Sequence, residues 1–222
     1  MRIKICGMSE QRRIDEAASL GVDFCGFVFH EKSPRNVTPS QVSLLDTHGM
    51  KRVGVFVNQR ADEMREIIRI ARLDYVQLHG ERSAAAAGNF PAERVIRVLW
   101  PAQYATTRDA LEKDIARFAG TCGMYLLDAG MGSGRELDWP SLRGLSFPHP
   151  WFLSGGLSPQ NVARALAFCS PDGLDFNSKL EISPGVKSGE KMAEAVAAVR
   201  ALERPALSSM DDTVNGRTGD RS

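Results

Sequence analysis

The feature that most restricts the possible folds is an alternation repeated eight times along the chain: a short apolar run rich in β-branched and aromatic residues, then a longer segment of helical periodicity. The predicted strands are 3–6, 24–29, 52–57, 75–78, 94–99, 125–128, 151–154 and 173–177. Between and after them, 9–20, 39–47, 61–71, 81–89, 104–119, 138–144, 159–168 and 189–203 read as helices. Ser9 and Thr38 stand where caps are expected, and Ser158 followed by Pro159 reads as an N-cap with proline at the first helical position.

Strict alternation favours parallel strands, because each right-handed crossover lays a helix on a sheet face. Eight units favour closure, so the expected fold is an α/β (β/α)8 TIM barrel in one domain. An open doubly wound sheet is the alternative, but GxGxxG is missing after the first strand, where the chain reads Cys6-Gly7-Met8. At 222 residues the chain is within the single-barrel size range. The barrel is placed at 1–204, and 205–222, polar with little to bury, is expected to be a disordered tail.

Lys plus Arg number 28 against 27 acidic residues, so no global field points to nucleic acid or a membrane as partner, and any anion must be bound locally. The charged N-terminal segment lacks a signal-peptide core, and the expected location is cytoplasmic. Four cysteines without CxxC or histidine spacing argue against zinc and against disulfides. No metal and no cofactor are expected, and a monomer is the favoured state.

Barrel enzymes build their sites at the C-terminal ends of the strands. Those ends supply Cys6, His30, Asn58, His79, Asp128, Ser154 and Asn177. Alternation along the first strand turns Lys4 and Cys6 to the barrel interior and Ile3 and Ile5 to the helices. An ammonium two residues below a thiol favours the thiolate, preparing Cys6 to act as a base. The alternative is a small buried hydrophobe, with Lys4 paired to a carboxylate. The same parity turns Asp128 on the sixth strand, and Asp175 and Asn177 on the eighth, inward. Asp128 is either a general acid or the cap of the following turn.

In Leu153-Ser154-Gly155-Gly156-Leu157-Ser158-Pro159, the diglycine lets backbone N–H groups approach an anion, and its position in the seventh unit suits a phosphate. A tight turn that needs two glycines is the other reading. The loop Lys32-Ser33-Pro34-Arg35-Asn36 offers a guanidinium fork for a carboxylate unless it is merely solvated, and the glycine-rich 130–134 reads as a flap.

Together, KICGM (4–8), GFVFHEKSPRNV (26–37), GVFVN (54–58), VQLHG (76–80), LLDA (126–129), GSGRELDW (132–139), LSGGLSPQNV (153–162) and LDFNSKLEISPGVK (174–187) resemble the N-(5'-phosphoribosyl)anthranilate isomerase family. They follow the family order up to the last helix, and the tail lies outside the resemblance. It implies a cofactor-free Amadori rearrangement of phosphoribosylanthranilate to 1-(2-carboxyphenylamino)-1-deoxyribulose 5-phosphate in tryptophan biosynthesis. On the resemblance, Asp128 is the general acid, Cys6 the general base, and Arg35 the grip on the anthranilate carboxylate. Gly155, Gly156, Asn177 and Ser178 then hold the phosphate, and Lys4, Gln77 and His79 line the pocket. The chain departs from the family pattern at Lys179, in place of the glycine of NSG, at Met131, in place of the first glycine of GGSG, and at Leu137, in place of phenylalanine.

Two enzymatic rivals are weaker. A ribulose-phosphate epimerase calls for metal-ligating histidines that His30, His48, His79 and His149 do not supply. An indole-glycerol-phosphate synthase needs a lysine acid and glutamates at other strand ends. A barrel that binds a phosphate ligand without chemistry is the rival of another class, and the presence of both Cys6 and Asp128 speaks against it.

Overall fold

Alternating short apolar strands leave two apolar faces to bury, and closing the sheet solves both problems at once: one face fills the barrel and the other meets the helices. The computed structural model describes residues 1–104, 108–130 and 136–211, with side chains through Glu203. In it β1 (Arg2–Cys6), β2 (Phe24–Phe29), β3 (Lys51–Phe56), β4 (Tyr75–Leu78), β5 (Val95–Leu99), β6 (Met124–Leu127), β7 (Trp151–Leu153) and β8 (Gly173–Phe176) form a closed barrel in chain order. All eight pairings are parallel, and the closing pair sets Lys4 of β1 opposite Asp175 of β8.

Inside the barrel, Phe24, Val53, Ile96, Val98, Met124, Leu126 and Phe152 pack as one cluster, with Cys6, Val28 and Val55 nearer the C-terminal mouth. Outward-facing Ile3, Ile5, Phe27, Phe56, Leu127 and Leu153 join the larger core beneath the helices. Each such side chain contributes about 1.5–3 kcal/mol on burial, so parity alone commits most of the sequence to this arrangement.

The crossovers carry α1 (Gln11–Ser19), α2 (Pro39–Ser43), α3 (Ala61–Ala71), α4 (Glu81–Ala84), α5 (Arg108–Phe118) and α6 (Val162–Leu166), and α7 (Gly189–Asp211) closes the described chain. Several are shorter than their periodicity suggests. Residues 138–144 give only a 3-10 turn, Trp139–Leu142, and α6 begins at Val162 rather than Pro159. Thr38 caps α2 as expected, through a reciprocal box with Gln41. Ser9 does not cap α1: Glu10 holds the N-cap position with no side-chain bond. The last helix continues past residue 203 to Asp211, and 212–222 lie outside the described residues.

A hairpin follows β8 that the periodicity does not announce: β9 (Glu181–Ser183) pairs antiparallel with β10 (Val186–Lys187). Its turn glycine, Gly185, has φ +88, and a Cβ there would stand 2.4 Å from the Pro34 carbonyl. The hairpin tip is thus pressed onto the loop after β2. Among the described residues no helix is long and apolar enough to cross a membrane.

Candidate active site

The side chains at the strand ends converge on a cavity of about 450 Å³ at the C-terminal mouth of the barrel. Cys6, His30, His79, Asp128, Ser154 and Asn177 all line it, as do Arg35, Gln77, Asp175, Gly155, Gly156 and Ser178. Asn58, alone among the strand-end polar residues, is exposed and apart from the cavity.

Lys4 lies one layer below the mouth and does not touch free solvent. Its Nζ donates to Asp175 Oδ2 at 2.8 Å across the β1–β8 seam, both side chains being buried. Burial works against the ammonium, but the neighbouring Asp175 carboxylate and Cys6 hold the Lys4 pKa above its ordinary value. This corrects the expected effect on Cys6. Burial pushes the thiol up, Asp175 adds to the rise, and the opposing pull of Lys4 and Lys187 does not cancel it. At neutral pH Cys6 is therefore a thiol, not a thiolate. Gly26 makes room for it: a Cβ at that position would fall 2.9 Å from Cys6 Sγ.

Asp128 stands at the end of β6, where its amide donates to the Leu99 carbonyl at 3.1 Å and its Oδ2 accepts from the Gly130 amide at 3.2 Å. The carboxylate thus does begin the turn, as the alternative reading had it, while its side chain faces the cavity. His79 Nε2 is 3.6 Å from Oδ2, too far for a hydrogen bond, and the other ring nitrogen is 3.4 Å from Gln77 Nε2. Burial lowers the His79 pKa, with Asp128 pulling the other way, so the ring is neutral at pH 7.

Arg35 reaches the cavity, but its fork is already filled. Nε and Nη2 each donate to Glu181 at 2.7 Å, leaving Nη1 as the terminal nitrogen not committed to that carboxylate. Glu181 Oε1 also accepts from Lys187 Nζ at 2.7 Å, and Lys187 donates further to Asn177 Oδ1 at 2.8 Å and to the Asn177 carbonyl at 3.1 Å. Although burial disfavours its charge, Arg35 and Lys187 hold the Glu181 carboxyl below its ordinary range. Gly7, at φ +74, lets Arg35 cross: a Cβ would stand 2.6 Å from Arg35 Cδ. Glu181 and Lys187 were not singled out in the sequence. The signal available was two opposite charges flanking Ser183-Pro184-Gly185, a spacing that places them face to face if that turn makes a hairpin.

The diglycine loop after β7 has Gly155 at φ +86 and Gly156 at φ +68, and a Gly155 Cβ would lie 2.7 Å from the Ala129 amide nitrogen. The loop is a tight turn that needs both glycines, and both line the cavity wall. The expected helix start at Ser158-Pro159 is replaced by Asn161, whose Oδ1 accepts from the Ser158 amide at 2.7 Å and whose Nδ2 donates to the Gly156 carbonyl at 2.9 Å. The diglycine loop, not a helix N-terminus, lines the cavity here. Lys179 is exposed at the cavity edge beside Ser178. Leu137 and Trp139 are buried in the outer core and do not line the cavity, and Met131, with the flap residues 131–134, lies outside the described residues. Among the described residues no cluster of three or more His, Cys, Asp or Glu is placed to hold a metal ion.

Comparison with known proteins is consistent along the chain. A family model described as N-(5'phosphoribosyl)anthranilate (PRA) isomerase matches residues 3–198. An N-(5'-phosphoribosyl)anthranilate isomerase of Desulfovibrio desulfuricans is 51% identical over 200 residues, covering 89% of this chain and 94% of the relative. The crystal structure of the phosphoribosyl anthranilate isomerase of Thermus thermophilus superposes with a TM-score of 0.75 at 32% identity, over 91% of this chain and 100% of that one. A solved phosphoribosyl anthranilate isomerase in complex with reduced 1-(o-carboxyphenylamino)-1-deoxyribulose 5-phosphate matches with a TM-score of 0.73 at 26% identity, over 90% of this chain and 99% of that one.

Proposed function

This chain belongs to the N-(5'-phosphoribosyl)anthranilate isomerase family, with the isomerase activity in tryptophan biosynthesis that membership carries, and on that footing we propose how its own residues perform the reaction. Asp128 acts as the general acid and Cys6 as the general base. Asp128 gives a proton to the furanose ring oxygen, the C1–O bond breaks, and the nitrogen lone pair forms a C1 iminium. Cys6 then takes the proton from C2, and the electron pair left behind neutralises the iminium to an enolamine. Tautomerisation of the enolamine to the C2 ketone completes the aminoketose.

The observation that carries this reading is that Cys6 and Asp128 line one cavity together with the Gly155-Gly156 loop. The raised thiol pKa fits the base role once the ligand's charge is counted. Arg35, Lys187 and Lys4 are paired with the carboxylates of Glu181 and Asp175, and Asp128 lines the same cavity, so the protein itself supplies no large cationic field at Cys6. A substrate carboxylate taking Arg35 Nη1 adds no cation, so the charge that favours the thiolate is the C1 iminium, formed beside the thiol when the base is needed. Gly155, Gly156, Asn177 and Ser178 hold the phosphate, with Asn177 oriented by Lys187. His79, neutral and against Trp100 at a ring separation of 5.5 Å, shields the acid side from water, with Gln77 beside it.

The test follows the loss of phosphoribosylanthranilate fluorescence. Wild type turns the substrate over, and Cys6→Ala and Asp128→Asn each lose at least about 100-fold in kcat, the range for removing a general acid or base. A wild type that binds the substrate but leaves it unchanged overturns the enzymatic reading. Full activity in Cys6→Ala overturns the base assignment alone.

A further inference from the structure

The reaction as written uses Cys6 and Asp128 but not the other carboxylate in the cavity wall. Asp175 sits on β8, opposite Lys4, with its side chain 4% exposed. Its Oδ2 is taken by the Lys4 ammonium at 2.8 Å. Its Oδ1 is buried and has no hydrogen-bond partner among the described protein atoms, although the residue lines the cavity. A carboxylate oxygen held in an ion pair can only accept, and a buried acceptor left unpaired costs free energy that a ligand donor recovers. Gln77 Oε1, across the same cavity, is likewise buried without a partner.

The barrel order says which part of a ligand comes near. On the reading proposed above, the phosphate lies at the ends of β7 and β8, and the carbon that loses its proton lies at Cys6 on β1. Because β8 stands between β7 and β1, the chain linking that carbon to the phosphate passes over β8. We infer that Asp175 Oδ1 accepts a hydrogen bond from a pentose hydroxyl between the deprotonated C2 and the phosphate-bearing C5, making Asp175 a specificity-determining residue. The C3 hydroxyl is the donor present throughout, since the C4 oxygen is part of the ring until the ring opens. Lys4 is then a positioning residue: it pins Oδ2 so that Oδ1 faces the ligand.

The inference rests on the placement of Cys6 and the phosphate, and the experiment separates the two. Binding of 1-(2-carboxyphenylamino)-1-deoxypentitol 5-phosphate, and of its 3-deoxy and 4-deoxy counterparts, is measured calorimetrically on the wild-type protein and on Lys4→Met/Asp175→Ala. The double variant leaves no unpaired buried charge behind. On wild type, removal of one of the two hydroxyls weakens binding roughly 10- to 100-fold, the range for a hydrogen bond to a charged acceptor. In the double variant that discrimination falls below about threefold, while the parent ligand still binds. Loss with the 3-deoxy ligand assigns the contact to C3, and loss with the 4-deoxy ligand to C4. If wild type binds both deoxy ligands within threefold of the parent, the inference is wrong. That comparison needs no variant, so a misfolded double variant does not rescue it. Inactive Cys6→Ala and Asp128→Asn alongside indifferent deoxy binding leave the proposed reaction standing and remove only the role of Asp175.

Discussion

Replacing Glu181 by glutamine isolates the charge that holds the mouth of the barrel together. The carboxylate is 7% exposed and receives Arg35 Nε, Arg35 Nη2 and Lys187 Nζ, each at 2.7 Å. Breaking a buried ion pair from one side costs about 3–5 kcal/mol, because the partner charge is left uncompensated. Glutamine keeps one acceptor oxygen of the same shape, which puts Glu181→Gln near the lower end, about 3 kcal/mol. For a domain of this size each kcal/mol moves the thermal midpoint by roughly 2–4 °C, so the expected drop is about 6–12 °C. The pH dependence fixes the mechanism. The folded-state pKa of Glu181 lies below its ordinary 4.5, so the group's stabilisation is fully present above that value and is lost only as pH falls through the lowered folded value. Urea unfolding of wild type and variant, followed by tryptophan fluorescence, should therefore give the same gap at pH 7 and pH 5 and a narrowing gap below about pH 4.5. A gap under 1 kcal/mol at pH 7, or one that closes between pH 7 and pH 5, refutes the account of Glu181 as the buried counter-ion of Arg35 and Lys187.

Gly26→Ala places a methyl 2.9 Å from Cys6 Sγ and 3.0 Å from Cys6 Cα, so the first strand must shift. Overpacking of this kind costs about 1–3 kcal/mol, and the displaced thiol lowers kcat/KM by as much as about 100-fold, so unchanged steady-state kinetics would contradict the placement of the base. Gly155→Ala sets a Cβ 2.7 Å from the Ala129 amide nitrogen at φ +86, and KM for the phosphorylated substrate should rise at least about tenfold while kcat falls less, a split that a purely structural glycine would not produce. In the pH profile, the Cys6–Asp128 pair must carry a proton for the ring oxygen, so kcat/KM falls on the alkaline side once the Cys6 thiol has ionised. With burial raising the thiol above its ordinary 9.0, the alkaline limb lies above pH 9, and a limb at or below pH 8.5 contradicts the environment described for Cys6.

Much of this architecture is legible in the chain because strand parity is a local property. Lys4 and Cys6 face inward for the same reason that Ile3 and Ile5 face outward, and closure follows from the number of units. The thiol's state is not legible in the same way. Two residues away along the strand, Lys4 reads as a free cation, but the barrel sets Asp175 against it from a sequence separation of 171. The same holds at Arg35, whose fork reads as open to a ligand until Glu181, 146 residues on, fills it. Helix starts failed for a different reason. Ser158-Pro159 has the composition of a cap, but Asn161 claims the Ser158 amide and delays the helix to Val162, a choice between two local hydrogen bonds that composition does not decide.

These long-range pairs fall on one seam. The first and last strands of the barrel meet at Lys4 and Asp175, and the hairpin that follows β8 delivers Glu181 and Lys187 to Arg35 from the β2 loop. Cys6 lies inside this ring of charges, so its environment is made by closure of the barrel and not by the strand that carries it. A chain with β1 to β7 in place but β8 undocked would expose Lys4 to solvent, free Arg35 and leave the thiol without the Lys187 charge. The last barrel strand thus completes the burial and the charges that hold the Cys6 proton, which couples the chemistry to the completeness of the fold: the site exists only where the barrel is closed.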